Sequence, residues 1–101
     1  MNKKPVAVVF WAAWCGPCRI LTPNVERLVR EHPEIVAVRL DVDANPVTPA
    51  KYHVHGLPTI MIFQKGKAAA RITGARSQTA LEHDLSPYLK KASPSSTHPG
   101  P

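Results

Sequence analysis

Both cysteines of the 101-residue chain fall in one short run, Trp14-Cys15-Gly16-Pro17-Cys18. Two thiols at this spacing can close into a disulfide and open again, so they point to a reversible two-electron centre. A metal site is the competing reading of such a pair. Those sites usually add a second cysteine pair or a histidine pair, and the chain has no other cysteine. His53-Val54-His55 offers two imidazoles in an extended segment, but without a third ligand it reads as a surface pair. Asp41, Asp43 and Asn45 imitate the opening of a calcium loop without its glycine and distant glutamate. His32, His83 and His98 read as solvated surface residues. No metal and no bound cofactor are expected, because the two sulfurs themselves carry the electrons.

The chemistry needs a thiolate, since the thiolate and not the thiol attacks a disulfide. The flanking elements are suited to supply one. Val6 to Trp11 is a continuous apolar run, as in a strand covered on both faces. After the cysteines, Ile20, Leu21, Val25, Leu28 and Val29 recur at helical spacing through Glu31. Cys15 therefore falls at the first helical turn, where unpaired amides and the helix dipole favour negative charge. This makes Cys15 the exposed attacking sulfur and Cys18, one turn further in, the more buried resolving one. Pro17 suits the first turn, having no amide to leave unsatisfied. Pro23, inside the pattern, is predicted to kink the helix, and His32-Pro33 ends it.

Further along, Ile35 to Leu40 is a second strand, closed by Asp41-Val42-Asp43. A short helix is expected near Thr48 to Tyr52. Thr59 to Phe63 forms a third strand, Lys65-Gly66-Lys67 a hairpin turn and Ala68 to Thr73 a fourth strand. Leu81, Leu85 and Leu89 mark one face of a last helix, which Pro87 should bend or shorten. Strands alternating with helices and ending in a hairpin and a helix give an α/β sandwich. Residues 93–101 are Ser, Thr, Pro, His and Gly with nothing to bury, and read as a disordered tail after a domain over 1–92.

Charge and hydropathy exclude other classes. The net charge of +6 and pI near 9.8 raise the question of nucleic acid. The basic residues are scattered, however, and only Lys65, Lys67, Arg71 and Arg76 gather in one region. A solvated surface that attracts acidic protein partners is the favoured reading. No stretch approaches the roughly 18 apolar residues of a membrane span. The start, Met1-Asn2-Lys3-Lys4, is basic like the opening of a signal peptide, but the apolar stretch that follows has no small-residue cleavage site. A cytoplasmic location is expected, where a lone cysteine pair is catalytic rather than a structural staple.

Gly56-Leu57-Pro58-Thr59 places a proline at the entry to a central strand, which calls for an explanation. A cis Leu57-Pro58 bond facing the cysteines would leave the Leu57 backbone groups free to pair with an extended substrate. A plain trans turn proline is the other reading, and the sequence leaves both open.

With these segments in view, the chain resembles the thioredoxin family. Trp14-Cys15-Gly16-Pro17-Cys18 matches the family's active-site motif, Phe10-Trp11-Ala12 the approach to it, and Pro23 the proline of the following helix. Asp43-Ala44-Asn45-Pro46 matches the segment after the middle strand. Gly56-Leu57-Pro58-Thr59 resembles the cis-proline loop, and Gly74-Ala75 the small-residue pair beside the active site. The resemblance runs from about Val6 to Leu89. It implies a three-layer α/β/α sandwich around a mixed sheet of about four strands. It also implies reduction of disulfide-containing client proteins, with electrons delivered by a thioredoxin reductase. In that case Trp14, Gly16, Pro17, Gly56, Leu57, Pro58, Gly74 and Ala75 form the surface that docks substrates.

The chain departs from the family pattern in three places. Almost nothing precedes the segment from Val6, where the family carries another strand and a helix. Ile35, Val36, Val38 and Leu40 are thus expected on an open edge, a pairing hazard. Either more chain ahead of Met1 or another chain covers that edge, or stability is marginal; a homodimer through this strand is the expectation. Val9 stands where the family has a buried Asp below the cysteines, and Arg39 where it has that Asp's lysine partner. A working but slower reductase is therefore expected. Pro87 shortens the last helix. The alternative function is a binding module of thioredoxin fold whose redox activity is vestigial. A lesser one is a metal cluster bridged between two chains through Cys15 and Cys18.

Overall fold

The computed structural model describes residues 4–89; the expected tail at 93–101 and His98 lie outside them. Strand β1 (Val6–Trp11) sits in the interior of a four-stranded mixed sheet of order β2-β1-β3-β4. It pairs in parallel with β2 (Val36–Asp41) and antiparallel with β3 (Thr59–Gln64), which in turn pairs antiparallel with β4 (Lys67–Thr73). The parallel pair needs a crossover, and helix α1 (Gly16–Glu31) provides it. The β3–β4 hairpin turns at Lys65-Gly66, both at positive φ (55° and 79°). That handedness fits the twist of the flanking strands, and Gly66 adopts it without steric cost.

Period-two alternation divides the sheet residues between two faces. Ala7, Val9, Ile60 and Ile62 point to one face and join Leu21, Val25 and Leu28 of α1 and Leu81 and Leu85 of α3 (Gln78–Leu85) in the main core. On α1 the buried stripe is Cys18, Leu21, Val25 and Leu28, a three- and four-residue spacing that leaves Ile20 on the exposed side. The helix runs through Pro23 to Glu31 as one element. The only amide this proline lacks is one that would bond to Arg19, still near the helix start. Ser77 caps α3 by accepting the Ala80 N–H at 3.1 Å. As Pro87 predicted, α3 stops early, passing into a single 3₁₀ turn (Ser86–Tyr88), and Leu89 still reaches the core.

The other sheet face is only partly covered. Helix α2 (Val47–Lys51) leads to Tyr52, whose ring meets Phe63 edge-on at 5.3 Å. Arg71 of β4 donates to the Tyr52 and His53 carbonyls, fastening this layer to the sheet. The layer lies over the β3–β4 side. On β2, Val36 and Val38 remain 36% and 45% exposed, and no strand among the described residues pairs with its outer edge. Ile35, expected on that edge, is instead buried in the core, because it precedes the strand and points the other way. Leu40 is half-buried.

His32 also departs from expectation. It is buried at the C-terminal end of α1 rather than solvated. Its Nδ1 lies 3.3 Å from Glu34 Oε2 and its Nε2 3.6 Å from Glu82 Oε2, so it ties the end of α1 to α3. His83, His53 and His55 are exposed, the last two with rings 6.3 Å apart.

Candidate active site

The two cysteines meet where β1 gives way to α1. Cys15 is the N-cap of α1 and Cys18 lies in its first turn, so helix geometry brings their Cα atoms within 5.3 Å, well inside disulfide range. They form the disulfide Cys15–Cys18. The Cys18 N–H points at the Cys15 sulfur at 3.2 Å. An N-cap side chain normally accepts such a bond through oxygen; here sulfur occupies the position, where the amide and helix dipole stabilise a thiolate. In this oxidised form Cys15 is not the exposed sulfur the sequence suggests: it is 4% exposed and Cys18 2%. Its side chain turns inward to meet that amide and joins a buried cluster with Ala12 and Cys18, against which Trp11, Val42 and Leu57 pack. The exposed surface comes from its chain neighbours, Trp14, Gly16 and Pro17.

The sheet brings the distant site segments to these sulfurs. The Leu57-Pro58 bond is cis, resolving the alternative that the sequence left open. Leu57 packs directly against the cysteine cluster. Pro58 is buried at the entry to β3, and the Thr59 hydroxyl donates to the Gly56 carbonyl at 2.7 Å, closing the loop. The Gly74 N–H donates to the Pro58 carbonyl at 3.0 Å, which holds the Gly74-Ala75 corner beside the loop. Gly74 has φ 93°, a conformation that a side chain resists.

Two features of the site were not assigned a role from the sequence. Asp43 accepts the Trp14 indole N–H at 2.9 Å, fixing a ring that is otherwise 70% exposed. Asp41 accepts the Asp43 and Ala44 amides, forming the turn that presents Asp43. The acidic pair that imitates a calcium loop is thus a turn and an anchor. The signal was available in the Asp43-Ala44-Asn45-Pro46 segment, but only the fold shows which aromatic it meets.

A family model described as Thioredoxin matches residues 1–87. The chain belongs to the thioredoxin family. It is 44% identical over 80 residues to a thioredoxin of Streptomyces clavuligerus, spanning 79% of this chain and 75% of that one. It is 42% identical over 86 residues to a bifunctional thioredoxin reductase/thioredoxin of Mycobacterium leprae, covering 84% of this chain and 19% of that protein. The crystal structure of a Fasciola hepatica thioredoxin superposes with a TM-score of 0.80 at 40% identity, over 86% of this chain and 84% of that one. The thioredoxin fold accounts for the four-stranded mixed sheet, and the Cys15–Cys18 disulfide is consistent with a redox-active dithiol.

Val9 is 1% exposed within the main core. A cleft of about 380 Å³ flanks Cys18 and is lined by Trp11, Ala12, Ala13, Arg19, Thr22, Pro23 and Arg39. The Arg39 guanidinium lies 6.0 Å over the Trp11 ring. Among the described residues no helix is long and apolar enough to cross a membrane.

Proposed function

We propose that this thioredoxin is a protein-disulfide reductase and dithiol electron carrier in which Cys15 attacks and Cys18 resolves. The observation that carries the assignment of roles is the Cys18 N–H aimed at the Cys15 sulfur at the head of α1. The Cys15 thiolate displaces one sulfur of a client disulfide and forms a mixed disulfide. Cys18 then attacks the Cys15 sulfur, releasing the second client thiol and closing Cys15–Cys18. Two electrons and two protons pass to the client. Trp14, Gly16, Pro17, Gly56, Leu57, Pro58, Gly74 and Ala75 form the docking surface, with the Leu57 backbone offered to an extended client strand.

A thioredoxin reductase restores the dithiol, a reading supported by the relative in which both activities share one chain. The setting is cytoplasmic. The uncovered β2 edge, with Val36 and Val38 exposed, supports pairing with a second copy.

The test is insulin reduction with dithiothreitol as electron source. Wild type should precipitate insulin catalytically, and Cys15→Ser should abolish the activity. Cys18→Ser should accumulate a mixed disulfide visible as an adduct in the intact mass. A wild-type protein no faster than dithiothreitol alone would favour the vestigial-redox binding module.

A further inference from the structure

We propose that the cleft beside Cys18 is a carboxylate-binding site, and that the bound carboxylate accepts the Cys18 proton in the resolving step. The proposal rests on Cys18 being the resolving thiol. That thiol must lose a proton before it can attack, yet among the described residues no carboxylate lines the cleft that borders it. Cys18 belongs to a buried cluster with Ala12 and Cys15, against which Trp11, Val42 and Leu57 pack, and the cleft of about 380 Å³ at its side has no Asp or Glu among its described lining residues. The cleft is instead lined by two guanidinium side chains, Arg19 and Arg39. Among the described residues neither forms an ion pair: Arg19 donates to the Ala13 carbonyl at 3.1 Å and Arg39 lies over Trp11. Glu26 lines a separate, smaller cleft of about 130 Å³ with Val9, Thr22, Val25, Ala37 and Arg39. The larger cleft therefore places Cys18 among lining residues that include these two arginines, and a guanidinium fork suits a planar anion with two oxygens. The overall charge of +6 draws such anions in.

The step balances. With Cys15 joined to the client, the Cys18 S–H proton moves to the carboxylate held by Arg19 and Arg39. The Cys18 thiolate then forms its bond to the Cys15 sulfur as the Cys15–client S–S bond breaks. The departing client thiolate takes the proton back from the carboxylic acid. The carboxylate can come from an acidic side chain near the client disulfide or from a small free acid.

The experiment is stopped-flow reaction of the reduced full-length chain with one equivalent of neutral dipyridyl disulfide. Attack by Cys15 releases one thiopyridone and attack by Cys18 a second, so the two steps are read separately. Acetate, exchanged for chloride at constant ionic strength, should speed the second phase about tenfold, saturate, and leave the first phase alone. Saturation should disappear in Arg39→Met and in Arg19→Met and persist in part in Arg39→Lys. A second phase insensitive to acetate would overturn the site. So would a linear response equal in wild type and the arginine variants, or a second phase that collapses in Glu26→Gln.

Two cystine peptides, flanked by Glu or by Gln and compared without acetate by acid quench and mass spectrometry, separate the sources. Faster resolution of the Glu peptide, lost in the arginine variants, assigns the carboxylate to the client. Equal rates with acetate saturation intact assign it to free acids. Release of only one thiopyridone would instead sink the two-cysteine mechanism itself.

Discussion

Cys15 and Cys18 differ in what surrounds them more than in how far they are buried. Cys15 caps a helix and its sulfur receives an amide, whereas Cys18 sits in a buried apolar cluster beside a cleft lined by Thr22, Arg19 and Arg39. The first step should therefore be ordinary and the second slow. Placing a carboxylate inside the core beneath the site tests this. Val9→Asp should raise the rate of the Cys18 step by up to about 10²-fold, the usual scale of general-base help. It should also lower thermal stability, since a fully buried valine becomes a charge or an unsatisfied acid. An unchanged insulin-reduction rate in a folded Val9→Asp protein would refute the idea that proton removal from Cys18 limits turnover. Gly74 is a second residue-scale case. At φ 93°, Gly74→Val should cost about 1–2 kcal/mol, read from denaturant midpoints, and should weaken client binding through the Pro58 loop it bonds to.

The elements explain why these residues meet. β1 delivers the chain to the sulfurs, α1 fixes their separation, and the start of β3 returns the Leu57-Pro58 loop to the same end of the sheet. α3 contributes no site residue but closes the core under α1. It is short, and its moorings are polar as well as apolar. Arg76 pairs with Asp84 through its Nε and Nη2 at 2.9 and 3.1 Å, and Asn24 of α1 donates to the Arg76 carbonyl at 2.9 Å. His32 adds the contact to Glu82. Loss of the N-cap in Ser77→Ala should cost about 1 kcal/mol with insulin reduction retained, as measured by chemical denaturation and the turbidity assay. A loss of activity without a loss of stability would mean that α3 reaches the site in some way this geometry does not predict.

At the scale of the whole molecule the unusual feature is asymmetry of cover. Among the described residues one sheet face is sealed by α1 and α3, while the other is closed only on the β3–β4 side, with Val36 and Val38 exposed along the edge strand β2. An edge of this kind pairs readily. Light scattering at high micromolar concentration should show mass above that of a monomer, and Val38→Lys should return it to the monomer with disulfide reduction intact. A monomer at every concentration would refute pairing through β2.

Much of this was legible in the residues themselves. The cysteine spacing, the proline at the entry to β3 and the element order follow from local rules of periodicity, capping and turn chemistry, each set by neighbours a few positions away, whereas the Gly74-Ala75 pair was legible only through the family resemblance. What the chain could not reveal in one dimension is what distant residues do to each other. His32 looked solvated until α3 folded over it, and Asp43 looked like half a cation loop until it received the Trp14 indole. Ile35 looked exposed until it proved to sit one residue ahead of the edge strand, on the core side. The cis state of Leu57-Pro58 and the cleft between Cys18 and Arg39 belong with these. Burial, isomer and cavity depend on side chains brought together across long sequence distances. No local pattern encodes that packing.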